Sequence, residues 1–381
     1  MTGTTPDGPL GPEFPGMPGD PMPEPVVVPA PPPAPAPGPT PPTLAPEPIP
    51  LAPLVPPKKT NPKREWTKWS PQPPGQLWRI EDMPDQKDRA VLVTGATSAL
   101  GMQVALEFAR RGARVLLASH DPERLRRTHE RLSVEVTGAR FTPMRMNLAD
   151  FSDIRRAVGV IAKMGPLDLL INNAGVMATP EYRSIDGLDL QMATNHFGHW
   201  MLTGMLLPNL TAATDSRIVN VTSVAHRFAR RAPTHDPRQP LDRYPRWHMY
   251  AQSKLANLLF THELERRLRA HDIRVRVTAA HAGLSAPTSL LTGRRPRSAQ
   301  SRPGLVGAAL KATAQPAEMG ALPILMAATA DVPTGTLCGP SGFRQFRGLP
   351  KVVADSPKAH DKAEQVKLWE ISEYVAGYRY P

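Results

Sequence analysis

Short apolar runs rich in β-branched residues alternate along this chain with longer stretches whose apolar residues recur at helical spacing. The first run, in RAVLVTGATSALG, ends abruptly in a turn of small residues. MQVALEFARRGA follows with helical spacing, and the glycine of RRGA suits a helix end. RVLLAS then reads as a second strand. The alternation continues through helix DPERLRRTHERLSVEV, strand RFTPMRMNL, helix DFSDIRRAVGVIAKM, strand LDLLINNAG, helix LDLQMATNHFGHWMLTGMLLPNL, strand SRIVNVTSV, helix YAQSKLANLLFTHELERRLRA and strand RVRVTAAHAG. Each parallel crossover needs a helix to bring the chain back, so strict alternation predicts a parallel sheet covered on both faces. The expected fold class is α/β, a Rossmann-type doubly wound sheet in a single domain. KLWEISEYVAG reads as a closing amphipathic helix.

Composition changes the picture at the N-terminus. The first 57 residues hold 23 of the 47 prolines, with almost no aromatics and no period. Such a segment cannot bury enough apolar surface to offset chain entropy, so residues 1–60 are expected to form a disordered, partly polyproline II tail. Its several Pro-x-x-Pro spacings raise a docking role, though they arise by chance in so dense a tract. Residues 61–87 form a tryptophan-bearing lead-in expected to pack on the domain spanning 88–381. No basic stretch followed by an apolar run opens the chain, and no segment of about 18 uninterrupted apolar residues occurs, so a soluble cytoplasmic protein is expected. The lone cysteine, Cys338, permits no internal disulfide or cysteine-based metal cluster and reads as a small buried side chain.

The formal charge of +12 invites a nucleic-acid reading, with basic clusters at 58–65, 226–231 and 293–302. The clusters lie far apart in linker-like sequence without a nucleic-acid module, so solvated surface ranks first, anionic membrane lipid second and nucleic acid last. No His, Cys, Asp or Glu cluster has metal-ligand spacing along the chain, so no metal is expected and a chelator should leave activity unchanged.

In doubly wound sheets the first strand-to-helix turn carries the phosphate contact. TGATSALG occupies that turn, where Gly95, Thr97, Ser98, Ala99, Leu100 and Gly101 let backbone N–H groups and the helix N-terminus approach a pyrophosphate. At the end of the second strand an acid would favour NAD and a base NADP. Here Ser119 and His120 stand there, so the sequence leans toward NADP(H) over NAD(H), with His120 or Arg124 assisting the phosphate. Asp121 is assigned instead to capping the helix that begins at Pro122.

YAQSK puts Tyr250 and Lys254 one helical turn apart on one face. An ammonium beside a phenol stabilises the phenolate and lowers a pKa that starts near 10, making Tyr250 a candidate acid/base. Ser223 closes a predicted strand, and Asn195 is a polar amide within an apolar helix. Taken singly, the tyrosine–lysine spacing occurs by accident, the serine is a turn former and the asparagine a satisfied core amide. Together with the nucleotide turn they form a recognisable set.

TGATSALG, NNAG (172–175), NHFGH (195–199), VNVTS (219–223) and YAQSKLAN (250–257) occur in the order of a known family. From about residue 88 onward the chain resembles a short-chain dehydrogenase/reductase of the retinol-dehydrogenase-like branch and its bacterial relatives. The resemblance implies that Tyr250 exchanges the proton of the reacting oxygen, Lys254 lowers its pKa and binds the nicotinamide ribose, and Ser223 hydrogen-bonds the substrate oxygen. Asn195 would hold a water linking Lys254 to solvent. Asn147, Leu148, Asn172, Asn173, Ala174, Gly175, Ala282 and Gly283 would support or line the cofactor. Departures from the family pattern are Ala99, His120, Asn147, Ala282 and Pro287, the last beside Thr288.

The implied activity is NAD(P)-dependent hydride transfer with a lipophilic alcohol or its carbonyl partner, by a protein that forms a homo-oligomer or acts alone. His226, Phe228 and Trp247, in the long segment between Ser223 and Tyr250, stand as substrate-entrance or loop-anchoring residues. Residues 285–315 would cover the substrate. The competing readings are a nucleotide-binding regulatory protein that has lost turnover, and a scaffold recruited through the proline tail.

Overall fold

The computed structural model describes residues 77–239, 241–284 and 315–381. The proline-rich tail, most of the lead-in, Pro287, Thr288 and the basic clusters at 58–65 and 293–302 lie outside the described residues. Eight strands form one sheet in the order β3-β2-β1-β4-β5-β6-β7-β8. They are β1 (Ala90–Thr94), β2 (Arg114–Ser119), β3 (Arg140–Arg145), β4 (Leu169–Asn172), β5 (Ser216–Val221), β6 (Val275–Ala280), β7 (Leu337–Pro340) and β8 (Pro350–Val353). The first seven run parallel, and β8 pairs antiparallel with β7. The sequence pattern foresaw six strands; β7 and β8, four residues each, are too short to show a period.

Between the strands lie α1 (Ala99–Arg110), α2 (Pro122–Glu135), α3 (Phe151–Ile161), α4 (Leu190–Met192), α5 (Gly198–Thr211), α6 (Arg246–Ala270) and α7 (Ala317–Thr329), and the chain closes with α8 (Lys362–Ala376). Successive strand residues face opposite ways. Leu92, Leu116, Leu170, Ile218 and Val277 therefore pack under α3, α5, α6 and α8. Val91, Val93, Val115, Ile171 and Val219 pack under α1, α2 and α7 on the other face. The helix expected over Leu188–Leu210 is broken by a π-helical stretch, Ala193–Phe197, between α4 and α5. α7 has no counterpart among the sequence-predicted elements because its apolar residues surround it, leaving no amphipathic stripe to recognise.

Trp78 of the lead-in is buried, and its N–H donates to Pro350 O at 3.1 Å. Trp369 of α8 meets Trp200 of α5 edge-on, and Tyr380 meets it at a tilt, with ring centroids 5.4 and 4.7 Å away. Cys338 is fully buried in β7, and that burial pushes its thiol up to about 12. Among the described residues no helix is long and apolar enough to cross a membrane.

Candidate active site

The turn after β1 is shaped by backbone crowding. Gly95 has φ +64, and a Cβ there would stand 2.8 Å from Ala174 Cα. A Cβ on Gly101 would meet Gly95 O and would stand 2.7 Å from Asn173 Nδ2. Ser98 caps α1 by accepting from the Gly101 N–H at 3.0 Å, and Ala99 opens the helix. The N-terminal amides of α1 are thus presented beside the loop after β4. Thr94 stitches the two together: its Oγ1 accepts from the N–H groups of Asn173 and Ala174, each at 2.9 Å, while Asn173 Nδ2 donates back to Thr94 O at 2.7 Å. Thr94 carried no sequence signal beyond its place at a strand end.

At the end of β2, Ser119 Oγ lies 3.0 Å from Thr97 Oγ1, both side chains being largely buried. Arg124 donates to Thr97 O at 3.0 Å, which brings a guanidinium to the lip of the turn. Asp121 accepts from the N–H groups of Glu123 and Arg124 at 3.1 and 3.0 Å, so its carboxylate caps α2. His120 is exposed. Asn147 Oδ1 accepts from the Ala149 N–H at 3.1 Å, and Leu148 is buried under the glycine that opens α5. Ala282 is buried, its carbonyl accepting from Gln315 Nε2 at 2.7 Å, and Gly283 has φ +65.

The proposed catalytic residues converge from three elements. Ser223 lies two residues past the end of β5, where it caps a short 3₁₀ turn, Val224–Phe228, and accepts from the Ala225 N–H at 3.2 Å. Its hydroxyl stands near enough to Tyr250 to favour the phenolate. Tyr250 and Lys254 project from α6, with Lys254 Nζ 5.9 Å from the Tyr250 ring centroid. Lys254 Nζ and Asn257 Nδ2 both donate to Val221 O, at 3.2 and 3.0 Å. Thr222 Oγ1 donates to Lys254 O at 2.7 Å and pins the same turn of helix to the sheet.

Asn195 lies in the π-helical stretch. Its Oδ1 accepts from the Val176 N–H at 2.8 Å, and its Nδ2 donates to Val176 O and to Ser253 Oγ, both at 2.9 Å. The side chain is fully engaged in holding the loop after β4 against α6. Gly175 lies between the two parts of the site: a Cβ there would stand 3.0 Å from Asn195 Oδ1 and 3.4 Å from Lys254 Nζ. His199 Nδ1 lies 3.1 Å from Asn195 O, and its Nε2 lies 2.9 Å from Thr94 Oγ1. Because a carbonyl only accepts, Nδ1 carries the proton and Nε2 is the acceptor. His199 is held neutral, at about 4, chiefly by burial.

Electrostatics corrects one sequence expectation. Burial raises the Tyr250 phenol above its ordinary value, with nearby Ser223 as the opposing influence. Lys254 is itself lowered to about 8 by burial. The lysine is close, yet the protein's own groups keep the phenol protonated at neutral pH, because desolvation penalises phenolate and ammonium alike. Burial also decides between the two readings of His226. Of its two sequence readings, substrate entrance or loop anchor, complete burial favours the second, and desolvation is the leading cause that holds it to about 3; Phe228 and Trp247 are exposed.

The family model described as short chain dehydrogenase matches residues 89–235. The chain is 35% identical over 303 residues to human (Homo sapiens) retinol dehydrogenase 13, covering 77% of this chain and 86% of that protein. The chain belongs to the short-chain dehydrogenases, in their retinol-dehydrogenase-like branch. Retinol dehydrogenase 14 of Mus musculus is 34% identical over 303 residues, covering 76% of this chain and 86% of the relative. A solved structure of an uncharacterized protein from Mycobacterium Paratuberculosis is 35% identical, with a TM-score of 0.65 over 80% of this chain and all of that one. The protein is accordingly an NAD(P)-dependent oxidoreductase.

The residues present fit a nicotinamide nucleotide: glycines at 95 and 101 let the turn before α1 close tightly on the loop after β4, Gly175 lets that loop approach Asn195 and Lys254, and hydroxyls line the end of β2. Such a cofactor, when bound, supplies the hydride and, in its oxidised form, a positive charge.

Proposed function

We propose that this short-chain dehydrogenase reduces a lipophilic aldehyde or ketone with NADPH as hydride donor, Tyr250 acting as the proton donor. The observation that carries the reading is the convergence of Ser223, Tyr250 and Lys254 around a phenol that burial keeps protonated. Carbonyl reduction places negative charge on an oxygen, and a positioned acid must supply a proton as that charge develops. Ser223 holds and orients the phenol and is placed to donate to the same oxygen. Lys254, fixed by Val221 O, keeps a cation near the phenol as it gives up its proton. Asn195 is a positioning residue: it locks the loop carrying Gly175 against α6.

NADP(H) over NAD(H) rests on Ser119, Thr97 and Arg124. Asp121 is committed to its helix cap, and Arg124 brings a guanidinium beside Thr97 near the end of β2, a charge that suits a 2′-phosphate. A lipophilic substrate is supported by the exposed Met177, Phe228 and Trp247, which stand two, five and three residues along the chain from Gly175, Ser223 and Tyr250. The names of the relatives, retinol dehydrogenases, point the same way.

Fluorescence titration of the purified protein with NADPH and NADH tests the cofactor assignment without a substrate. NADPH is expected to bind more tightly, and Arg124→Ala to weaken NADPH by about tenfold, about 1.4 kcal/mol, with little effect on NADH. Equal affinity for both cofactors, unchanged in the variant, removes the NADPH assignment. NADPH oxidation against a panel of long-chain and aromatic aldehydes and ketones then tests turnover. Binding without turnover across the panel would favour the regulatory reading.

A further inference from the structure

Away from the crevice, three side chains distant in sequence come together. His262 lies on α6, and Asp355 and His360 lie in the segment between β8 and α8. His262 Nε2 is 2.7 Å from Asp355 Oδ2, and His360 Nε2 is 2.5 Å from Asp355 Oδ1. The two imidazole rings lie 4.5 Å apart at 37° to one another. One ligand atom from each of the three residues falls within 4.8 Å of the others. The side chains of Asp355 and His262 are only 9% and 15% exposed, whereas that of His360 is 59% exposed. Two largely buried donors therefore face one that is mostly exposed.

We propose that His262, Asp355 and His360 form a site for a divalent late first-row transition ion of the zinc type, tying α6 to the segment that leads into α8. Two imidazole nitrogens and one carboxylate oxygen are donors that suit zinc and its neighbours better than magnesium or calcium, which take oxygen. Zinc bonds of about 2.0–2.2 Å put tetrahedral donors about 3.4 Å apart, and rotation of the exposed His360 closes the present spread to that value. Each imidazole that binds through Nε2 carries its proton on Nδ1, so loading shifts the tautomer now used to hydrogen-bond Asp355. Three protein donors leave a fourth position facing outward.

His262 lies three helical turns beyond Tyr250 on the same helix, about 18 Å along its axis, so the ion would be structural and would not touch the reacting atoms. Arg227 reaches Ala354 O at 3.5 Å and brings a positive charge next to Asp355, a local opposition that limits affinity. None of this rests on the reading of the crevice.

The test uses the untagged full-length chain, stripped with chelator and desalted, then titrated with zinc chloride by calorimetry and by thermal melting. One equivalent is expected to bind, raising Tm by about 3 °C or more, while magnesium chloride causes no shift. His360→Ala is the deciding variant, because its side chain is mostly exposed and its loss leaves the His262–Asp355 contact in place. It should melt like the stripped wild type and lose both the binding and the shift. Absence of stoichiometric zinc binding to the wild type, or equal binding to His360→Ala, overturns the proposal.

Discussion

In the turn from Gly95 to Gly101, position is set by backbones pressed together; around Tyr250 and Lys254 it is set by buried polar side chains drawn from separate elements. The turn admits no Cβ at Gly95 or Gly101 without collision, and its hydrogen bonds run largely to backbone groups. The catalytic side is hydrogen-bonded through Asn195, Ser253, Thr222, Asn257 and His199, all buried. It also gathers four buried neutral histidines: His196 and His199 follow Asn195 by one and four residues, His226 follows Ser223, and His281 follows β6. A steric site tolerates changes of pH and fails on added volume. A site of desolvated titratable groups behaves in the opposite way.

The largest expected effect is therefore acid unfolding that begins on the catalytic side. Burial, the leading cause in each case, holds His196 and His226 to about 3 and His199 and His281 to about 4. In the unfolded chain these groups protonate near pH 6.5. With the folded values depressed, the unfolded state binds more protons throughout the interval, so stability is lost as pH falls from about 6.5 toward 4. Near pH 5, unfolding should take up about four protons from these groups, a slope of about 5 kcal/mol per pH unit. Denaturant melts between pH 4.5 and 7.5 measure it, and a flat profile over that range would refute the buried-histidine description.

Added volume should strike the other region. Gly101→Val drives a side chain into Gly95 O and Asn173 Nδ2 and is expected to cost about 3 kcal/mol or more, with loss of NADPH binding. Chemical denaturation compared with cofactor titration reads both, and a variant of unchanged stability and affinity would show that the turn is looser than described. A smaller effect is expected where the regions join. Thr94→Val keeps the shape but leaves the Asn173 and Ala174 amides without their acceptor, at about 2 kcal/mol. Calorimetric melting checks this, and a change below about 0.5 kcal/mol would mean that the amides find other partners.

The same contrast explains what the sequence revealed. Glycines demanded by steric contact, and strands and helices long enough to show a period, were legible, and so were Tyr250, Lys254, Ser223 and Asn195 as a spaced set. Asp121 was rightly read as a cap because its position before Pro122 is a local signal. Properties that arise from burial were not legible. The direction of the Tyr250 shift, the enclosure of His226 and the tautomer of His199 depend on neighbours far along the chain. The same holds for His262, Asp355 and His360, whose spacing gives no ligand motif until the fold brings them together. Strands β7 and β8 and the π-helical stretch at Asn195 escaped for a different reason, being too short to carry a period.

The central claim is that Tyr250 supplies the proton while the rest of the crevice binds the nucleotide, and Tyr250→Phe tests it most directly. Turnover of an active carbonyl substrate is expected to fall by about 10²–10⁴-fold, with NADPH affinity and Tm nearly unchanged. Near-normal turnover by the purified variant would contradict the account and move the proton donor elsewhere in the site.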